Sequence, residues 1–269
     1  MDNPKRVSGR TKIICTLGPV SSTAEVITSM VRAGMGVARL NFSHGSHEEH
    51  LTVLQNIRIA SDETDEPISV VLDLQGPKIR TGDFPAPVEL VADTTVTITT
   101  EECVGTAERF STTYQNLPHD VRPGDRVLLD DGKIELRVLD VHGNDVRLRV
   151  HVGGMVSSHK GINLPGVNVS APSLSEKDKE DIQFAFEHDI DYVALSFVRR
   201  AADVAHLRDF IIENGPKGKK IPIIAKIEKN EAIENIDEIL KETDAVMVAR
   251  GDLGVELPAE EVPLLQKMI

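Results

Sequence analysis

The stretch KIICTLGPVSSTAEVITSMVRAGMGVARLNF, residues 12–42, decides the fold class. KIICTL (12–17) is an apolar run of strand length. STAEVITSMVRAG follows with apolar residues at helical spacing; Ser22 and Glu25 are spaced as a capping box, and Gly34 stands after the end. GVARLNF (36–42) reads as a second strand. Strands joined through a helix run parallel, because the crossover returns the chain to the same end of the sheet. The unit then repeats. Ser46 and Glu49 open a second helix to about residue 62, and ISVVLDL (68–74) is a third strand.

From about residue 80 to 170 the pattern changes to short β-rich runs: PVELVADTTVTITT, RVLLDDGKIELRVLDVHG and DVRLRVHVGG. Asp131-Gly132 and Gly143-Asn144 are turn signals between them, and no helical period is sustained. This predicts a small β-barrel-like domain inserted after strand three, hinged at GPKIRTG (76–82) and PGVNVSAPS (165–173). The expected division is 1–78 and 172–269 for the α/β frame and 79–171 for the insert. The βα pattern resumes with a helix in SLSEKDKEDIQFAFEHDI, Ser175 and Asp178 near its start. DYVALSF (191–197), IPIIAKIE (221–228) and DAVMVAR (244–250) are near-continuous apolar runs, as strands buried on both faces should be. A closed (β/α)8 barrel takes about 250 residues without insertions, so this chain is too short for eight units. PAEEVPLLQKMI also stops in mid-amphipathic pattern. The choice lies between an open six-stranded sheet and a (β/α)8 TIM-type barrel truncated to about six strands; the second is favoured.

The 269 residues are 40% hydrophobic, ample for a sizeable core. A net charge of −13 with 3% aromatics and no tryptophan argues against nucleic-acid binding. No apolar run reaches the roughly 18 residues of a membrane span, and the polar start MDNPKRVSGRTK has no apolar leader segment. Cys15 and Cys103 give no disulfide framework, and Cys15 reads as a small buried strand residue. A cytoplasmic setting is expected. In so acidic a chain, any anion site must gather its cations locally.

Such gathering occurs at the strands' C-terminal ends, where parallel α/β folds bind ligands. RLNFSHG alternates Arg39, Asn41 and Ser43 onto one face; LDLQGPKIRTG supplies Asp73, Lys78 and Arg80; AKIE supplies Lys226 and Glu228; ARGDLG supplies Asp252. Lys226 and Glu228, at i and i+2, leave their strand on one face. They read either as a structural ion pair or as a phosphate and metal site. Asp252 in its Gly-Asp-Leu-Gly turn either satisfies backbone amides or adds a hard oxygen ligand for Mg2+ beside Glu228. Arg39 is either a core arginine paired with Asp73 or a planar fork for phosphate. His44, His47 and His50 in SHGSHEEH do not have zincin spacing, and GPKGKK (215–220) lacks the phosphate-loop glycines and reads as a solvated turn.

KIICTLGP, ARLNFSHG, LDLQGPKIRTG, KGINLPG, LSEKD, AKIE and ARGDLGVELP, in this order, closely resemble pyruvate kinase over nearly all of the chain. The resemblance implies a (β/α)8 barrel with a β-rich lid after strand three and a further C-terminal α/β domain. It implies transfer of the phosphoryl group of phosphoenolpyruvate to ADP, giving pyruvate and ATP in glycolysis. Lys226 then matches the transition-state stabiliser and Arg39 the phosphate-contacting arginine. Glu228 and Asp252 match the Mg2+ (or Mn2+) ligands, and the Gly251 and Asp252 amides those that hold the substrate carboxylate. Asn41, His44, Arg80 and Lys160 match nucleotide-side contacts. Asn41, Ser43, Asp73 and the Leu74 carbonyl match a K+ site. Lys78 stands where K+-dependent members carry Glu, which implies K+ independence.

By the same resemblance a homo-oligomer, a tetramer, is expected at full length. The family's remaining strands and C-terminal domain are absent here, so this chain alone is expected to be poorly active. Two other readings compete. One is a Mg2+-dependent lyase or aldolase working through a pyruvate enolate; the other is a non-catalytic fragment that binds phosphorylated ligands.

Overall fold

A computed structural model describes residues 11–269. Most of the polar N-terminal stretch read above therefore lies outside the described residues. In chain order the elements are β1 (Ile13–Thr16), α1 (Ala24–Ala33), β2 (Met35–Asn41), α2 (His47–Thr64) and β3 (Ser69–Asp73). The β-rich part follows: β4 (Val88–Leu90), β5 (Thr95–Thr99), β6 (Arg109–Ser111), α3 (Leu117–Asp120), β7 (Arg126–Leu129), β8 (Ile134–His142), β9 (Asp145–Val152), β10 (Gly154–Val156) and β11 (Ile162–Asn163). Then come α4 (Glu176–Glu187), β12 (Tyr192–Leu195), α5 (Ala201–Asn214), β13 (Ile223–Ile227), α6 (Asn230–Glu234), α7 (Ile236–Glu242), β14 (Ala245–Val248), α8 (Arg250–Glu256) and α9 (Val262–Met268). The α/β class and the six expected parallel-type strands are observed, in the order β1-β2-β3-β12-β13-β14.

The chain divides into two compact units, the first up to Gln75 with Glu176–Leu195 and Arg208–Ile224. In it β1, β2, β3 and β12 pair in parallel, with Asn41 and Ala194 both in register with Asp73. The core is the apolar faces of β2, β3 and β12 against Val31 and Ile57 of the helices. The α2 capping box forms as read: the Glu49 amide donates to Ser46 Oγ, and Glu49 accepts from the Ser46 amide. At α1 the expectation needs correction. The N-cap is Thr23, whose carbonyl accepts the first helical bond from Ile27 and whose hydroxyl accepts from Val26. Ser22 is drawn away, its carbonyl taken by the Asn56 amide group and its hydroxyl directed to Pro19. Cys15 is not buried either. β1 ends the strand order with one neighbour, and Ile13 and Ile14 beside it are 49% and 48% exposed.

The second unit comprises Gly76–Ser175, Ser196–Leu207 and Ala225–Ile269. Its β-rich part is a six-stranded sheet, β11-β7-β8-β9-β5-β6, plus the pair β10-β4. Both turn signals fall where read. Asp130, Asp131 and Gly132 are left-handed between β7 and β8, and Gly143 is left-handed between β8 and β9. Alternation places Val96, Ile98, Leu136, Val146, Leu148 and Val150 in one core. The single helical turn α3 was not expected; a proline in its first turn and four residues of length leave no period to read. GDLG is a helix rather than a turn: α8 starts there, the Leu253 amide bonding the Ala249 carbonyl. β14, last in the strand order, is only partly buried, unlike β12 and β13. Among the described residues no helix is long and apolar enough to cross a membrane.

Candidate active site

In the second unit the site is built on the end of β13 from Ala225 onward, in a strand buried at every position. Lys226 Nζ lies 2.8 Å from Glu228 Oε1 and donates to Ser196 Oγ at 2.8 Å. Glu228 Oε2 accepts the Phe197 amide at 2.9 Å. The two charged side chains are 10% and 2% exposed. The ion pair of the first reading therefore exists, and it stands at the C-terminal end of its strand. Burial holds the Glu228 carboxyl above the usual carboxylate range; Lys226 opposes this, and the charge of Asp252 adds to it. A carboxylate so burdened, sensing a second one, is a donor set that a small divalent cation would relieve. The residues thus fit Mg2+, which takes one or two carboxylates and completes its shell with substrate oxygens and water.

Asp252 and Gly251 lie in the first turn of α8. Asp252 lines a small cavity of the same unit with Lys78, Asp131, Asn163, Phe197 and Lys229. The Lys78 stem passes beside Gly161, where an added methyl would sit 3.3 Å from Lys78 Cε. Arg80 donates through Nη1 to the His159 carbonyl. Lys160 Nζ rests 2.8 Å from Asp130, which Lys133 and Lys160 together make more acidic than an ordinary aspartate.

In the first unit Arg39 donates through Nε to Asp73 at 2.7 Å and through Nη1 to Thr16 at 2.6 Å. The core pairing of Arg39 with buried Asp73 is therefore real. Asn41 Oδ1 accepts the Ser43 amide, shaping the turn after β2. His50 donates through Nε2 to the His44 carbonyl and stacks on Phe42, and burial lowers its basicity. His47 is engaged by Asp181. Asn41 and His44 line a cleft of about 700 Å3 with Thr16, Pro19, Glu49 and His50. In the first unit GPKGKK is a turn, but not merely solvated, since Lys219 caps the carbonyls of Ala185 and Phe186 at the end of α4.

Sequence reasoning missed Ser196, the Phe197 amide and the cleft residues Pro19 and His50. Ser196 was findable, since DYVALSF carries a polar residue next to its end, much as the other strands carry polar residues at theirs. The Phe197 amide carries no residue-type signal.

The family model for the pyruvate kinase barrel domain matches residues 8–269. Pyruvate kinase of Mycobacterium intracellulare is 53% identical over 262 residues, covering 97% of this chain and 55% of that protein. That of Staphylococcus aureus is 46% identical over 96% of this chain and 44% of its own length. A crystal structure of a pyruvate kinase from Cryptosporidium parvum superposes with a TM-score of 0.92 at 41% identity, over 96% of this chain and 54% of that one. The chain thus spans about half the length of the relatives it matches. Its α/β architecture is that of a (β/α)8-type barrel represented by six strands. With the barrel model matched almost end to end and half the residues shared, the chain belongs to the pyruvate kinase family.

Proposed function

We propose that this chain serves transfer of the phosphoryl group of phosphoenolpyruvate to ADP, giving pyruvate and ATP. The observation that carries the reading is the buried Lys226–Glu228 pair at the end of β13, backed by Ser196 and the Phe197 amide. Phosphoryl transfer is chiefly a matter of positioning and charge. Lys226, held by two oxygens, keeps its ammonium aimed at the place where charge develops on the transferring group and on the enolate. Arg39 offers its guanidinium to the phosphate, oriented by Asp73 and Thr16. Glu228 and Asp252 would hold Mg2+, which supplies charge neutralisation at substrate oxygens. In the first unit Asn41 and His44 border a cleft that would take a nucleotide; in the second, Arg80 and Lys160 are cations of the β-rich segment 79–171 that would meet phosphate. Lys78 supplies the charge that K+ provides in other members, so added K+ leaves the rate unchanged.

The test is pyruvate release by the native protein from its source cells, with intact mass measured on the same sample. The reading expects release that requires ADP and is abolished by Lys226→Met. Release without ADP would replace it with the lyase reading. Calorimetric binding of phosphoenolpyruvate with Mg2+ but no turnover would replace it with the binding reading. A strong rate increase on adding K+ would remove the role given to Lys78.

A further inference from the structure

The residues that connect the β-rich segment to the barrel and the residues that hold Lys226 and Glu228 meet on one tetrapeptide, Ser196–Arg199. On the catalytic side Ser196 Oγ accepts from Lys226 Nζ, and the Phe197 amide donates to Glu228 Oε2. On the other side both connections press on the same four residues. Gly76, in the first, packs so closely that an added methyl would lie 2.9 Å from the Phe197 ring and 3.0 Å from Ser196 Cβ. Arg199 grips the second, its guanidinium donating to the carbonyls of Val169 and Ala171. The Arg199 side chain is only 12% exposed and is braced by Asp203, while its carbonyl accepts from Asn235.

Between these grips Phe197 has φ of 56°, a left-handed conformation that a bulky residue adopts only under constraint. The conformation matters because φ of residue 197 orients the peptide whose N–H reaches Glu228. If Phe197 relaxed to the right-handed or extended region, that N–H would turn away from the carboxylate. The tetrapeptide is thus an element with a strained arrangement that serves Glu228 and a relaxed one that does not.

We propose that Arg199 is a positioning residue: by holding Val169 and Ala171 it keeps Phe197 left-handed, and so couples the hinge of the β-rich segment to Lys226 and Glu228. The proposal rests on the phosphoryl-transfer reading for its kinetic consequence, though not for its structural one. Opening the hinge moves the two carbonyls, slackens Arg199 and lets the Phe197 amide leave Glu228. Closing restores the geometry in which Lys226 is aimed. Lysine cannot replace Arg199, because a single ammonium on a flexible stem does not span two carbonyls and a carboxylate at once.

The test uses the native protein carrying Arg199→Met, with Arg199→Lys as the second variant should the first not fold. Amide hydrogen exchange at Phe197 is read first. It should quicken at least about tenfold while the amides of β3 and β12 keep their protection. Kinetics are read second: kcat should fall at least about tenfold with KM for phosphoenolpyruvate within about twofold, the pattern of a contact needed only in the transition state. A cycle with Ser196→Ala should be non-additive, the double variant being about as slow as the slower single one. Unchanged Phe197 exchange, or costs that simply add, would overturn the proposal while leaving the reaction assignment standing. If the unsubstituted protein transfers no phosphoryl group, the assignment fails instead, and the exchange result alone decides the coupling.

Discussion

Lys226→Met in this chain tests the central pair by its pH dependence. The substitution keeps the apolar stem and removes an ammonium 2.8 Å from Glu228 Oε1. Glu228, 2% exposed, is then left with the Phe197 amide as its hydrogen-bond donor. Stranding an ionised carboxylate in this way costs about 3–5 kcal/mol. The group has an escape, because it can take up a proton. Burial already holds it above the usual carboxylate range, and Lys226 is the main influence opposing that rise, so its loss pushes the carboxyl further up. In the window between the ordinary and the raised value the folded chain holds a proton that the unfolded chain has released. Unfolding free energy therefore falls as pH rises, by about 1.4 kcal/mol per pH unit for one proton. Because Glu228 is already raised in the unsubstituted chain, the cost of Lys226→Met should grow with pH between the wild-type and the variant values of Glu228 and be smaller at the acid end. Urea unfolding followed by circular dichroism, at about pH 5.5 and about pH 7.5, measures it. Lys226→Met with Glu228→Gln should recover most of the loss at the higher pH, since no charge is then stranded. A pH-independent cost, or a double variant no better than the single one, would refute the reasoning.

Three further outcomes follow from the geometry. Gly76→Ala forces a left-handed alanine, at about 1–2 kcal/mol, against Phe197 and Ser196, adding about 1–3 kcal/mol of overpacking; thermal unfolding should drop by several degrees, and an unchanged midpoint would contradict it. His50 is held below the ordinary histidine value by burial, so its contribution is intact above about pH 6.5 and is lost as pH falls below that; His50→Gln, which keeps a donor for the His44 carbonyl, should flatten the stability profile on the acid side in a pH series of melting curves. Glu256 is buried against Lys229 at 2.5 Å and Asn163 at 3.0 Å, and among the described residues its Oε2 has no hydrogen-bond partner; Lys229→Met should cost about 3–5 kcal/mol in urea unfolding while Lys229→Arg costs little, and equal losses would show that the charge is not what matters.

How much of this was legible follows from which signals are local. The strand-helix-strand units, the α2 capping box and the turns at Asp131-Gly132 and Gly143-Asn144 were readable because each depends on residues within a few positions of one another. Where neighbours distant in sequence intervene, local reading failed. Asn56 takes the carbonyl of Ser22 and moves the α1 cap to Thr23; β1, with one strand beside it, leaves Cys15 partly exposed. The candidate site divides the same way. Lys226 and Glu228 share a face because strand side chains alternate, so their pairing was written in their spacing.

The sequence by itself thus determined the βα order, the β-rich stretch that interrupts it and the charged residues at the strand ends, through periodicities of two and 3.6 and the side chains' own chemistry. Only the tertiary structure decided which groups those charges meet. That Lys226 has Ser196 and Glu228 has the amide of a left-handed Phe197 depends on bringing together segments some thirty residues apart, and backbone donors carry no mark in the sequence.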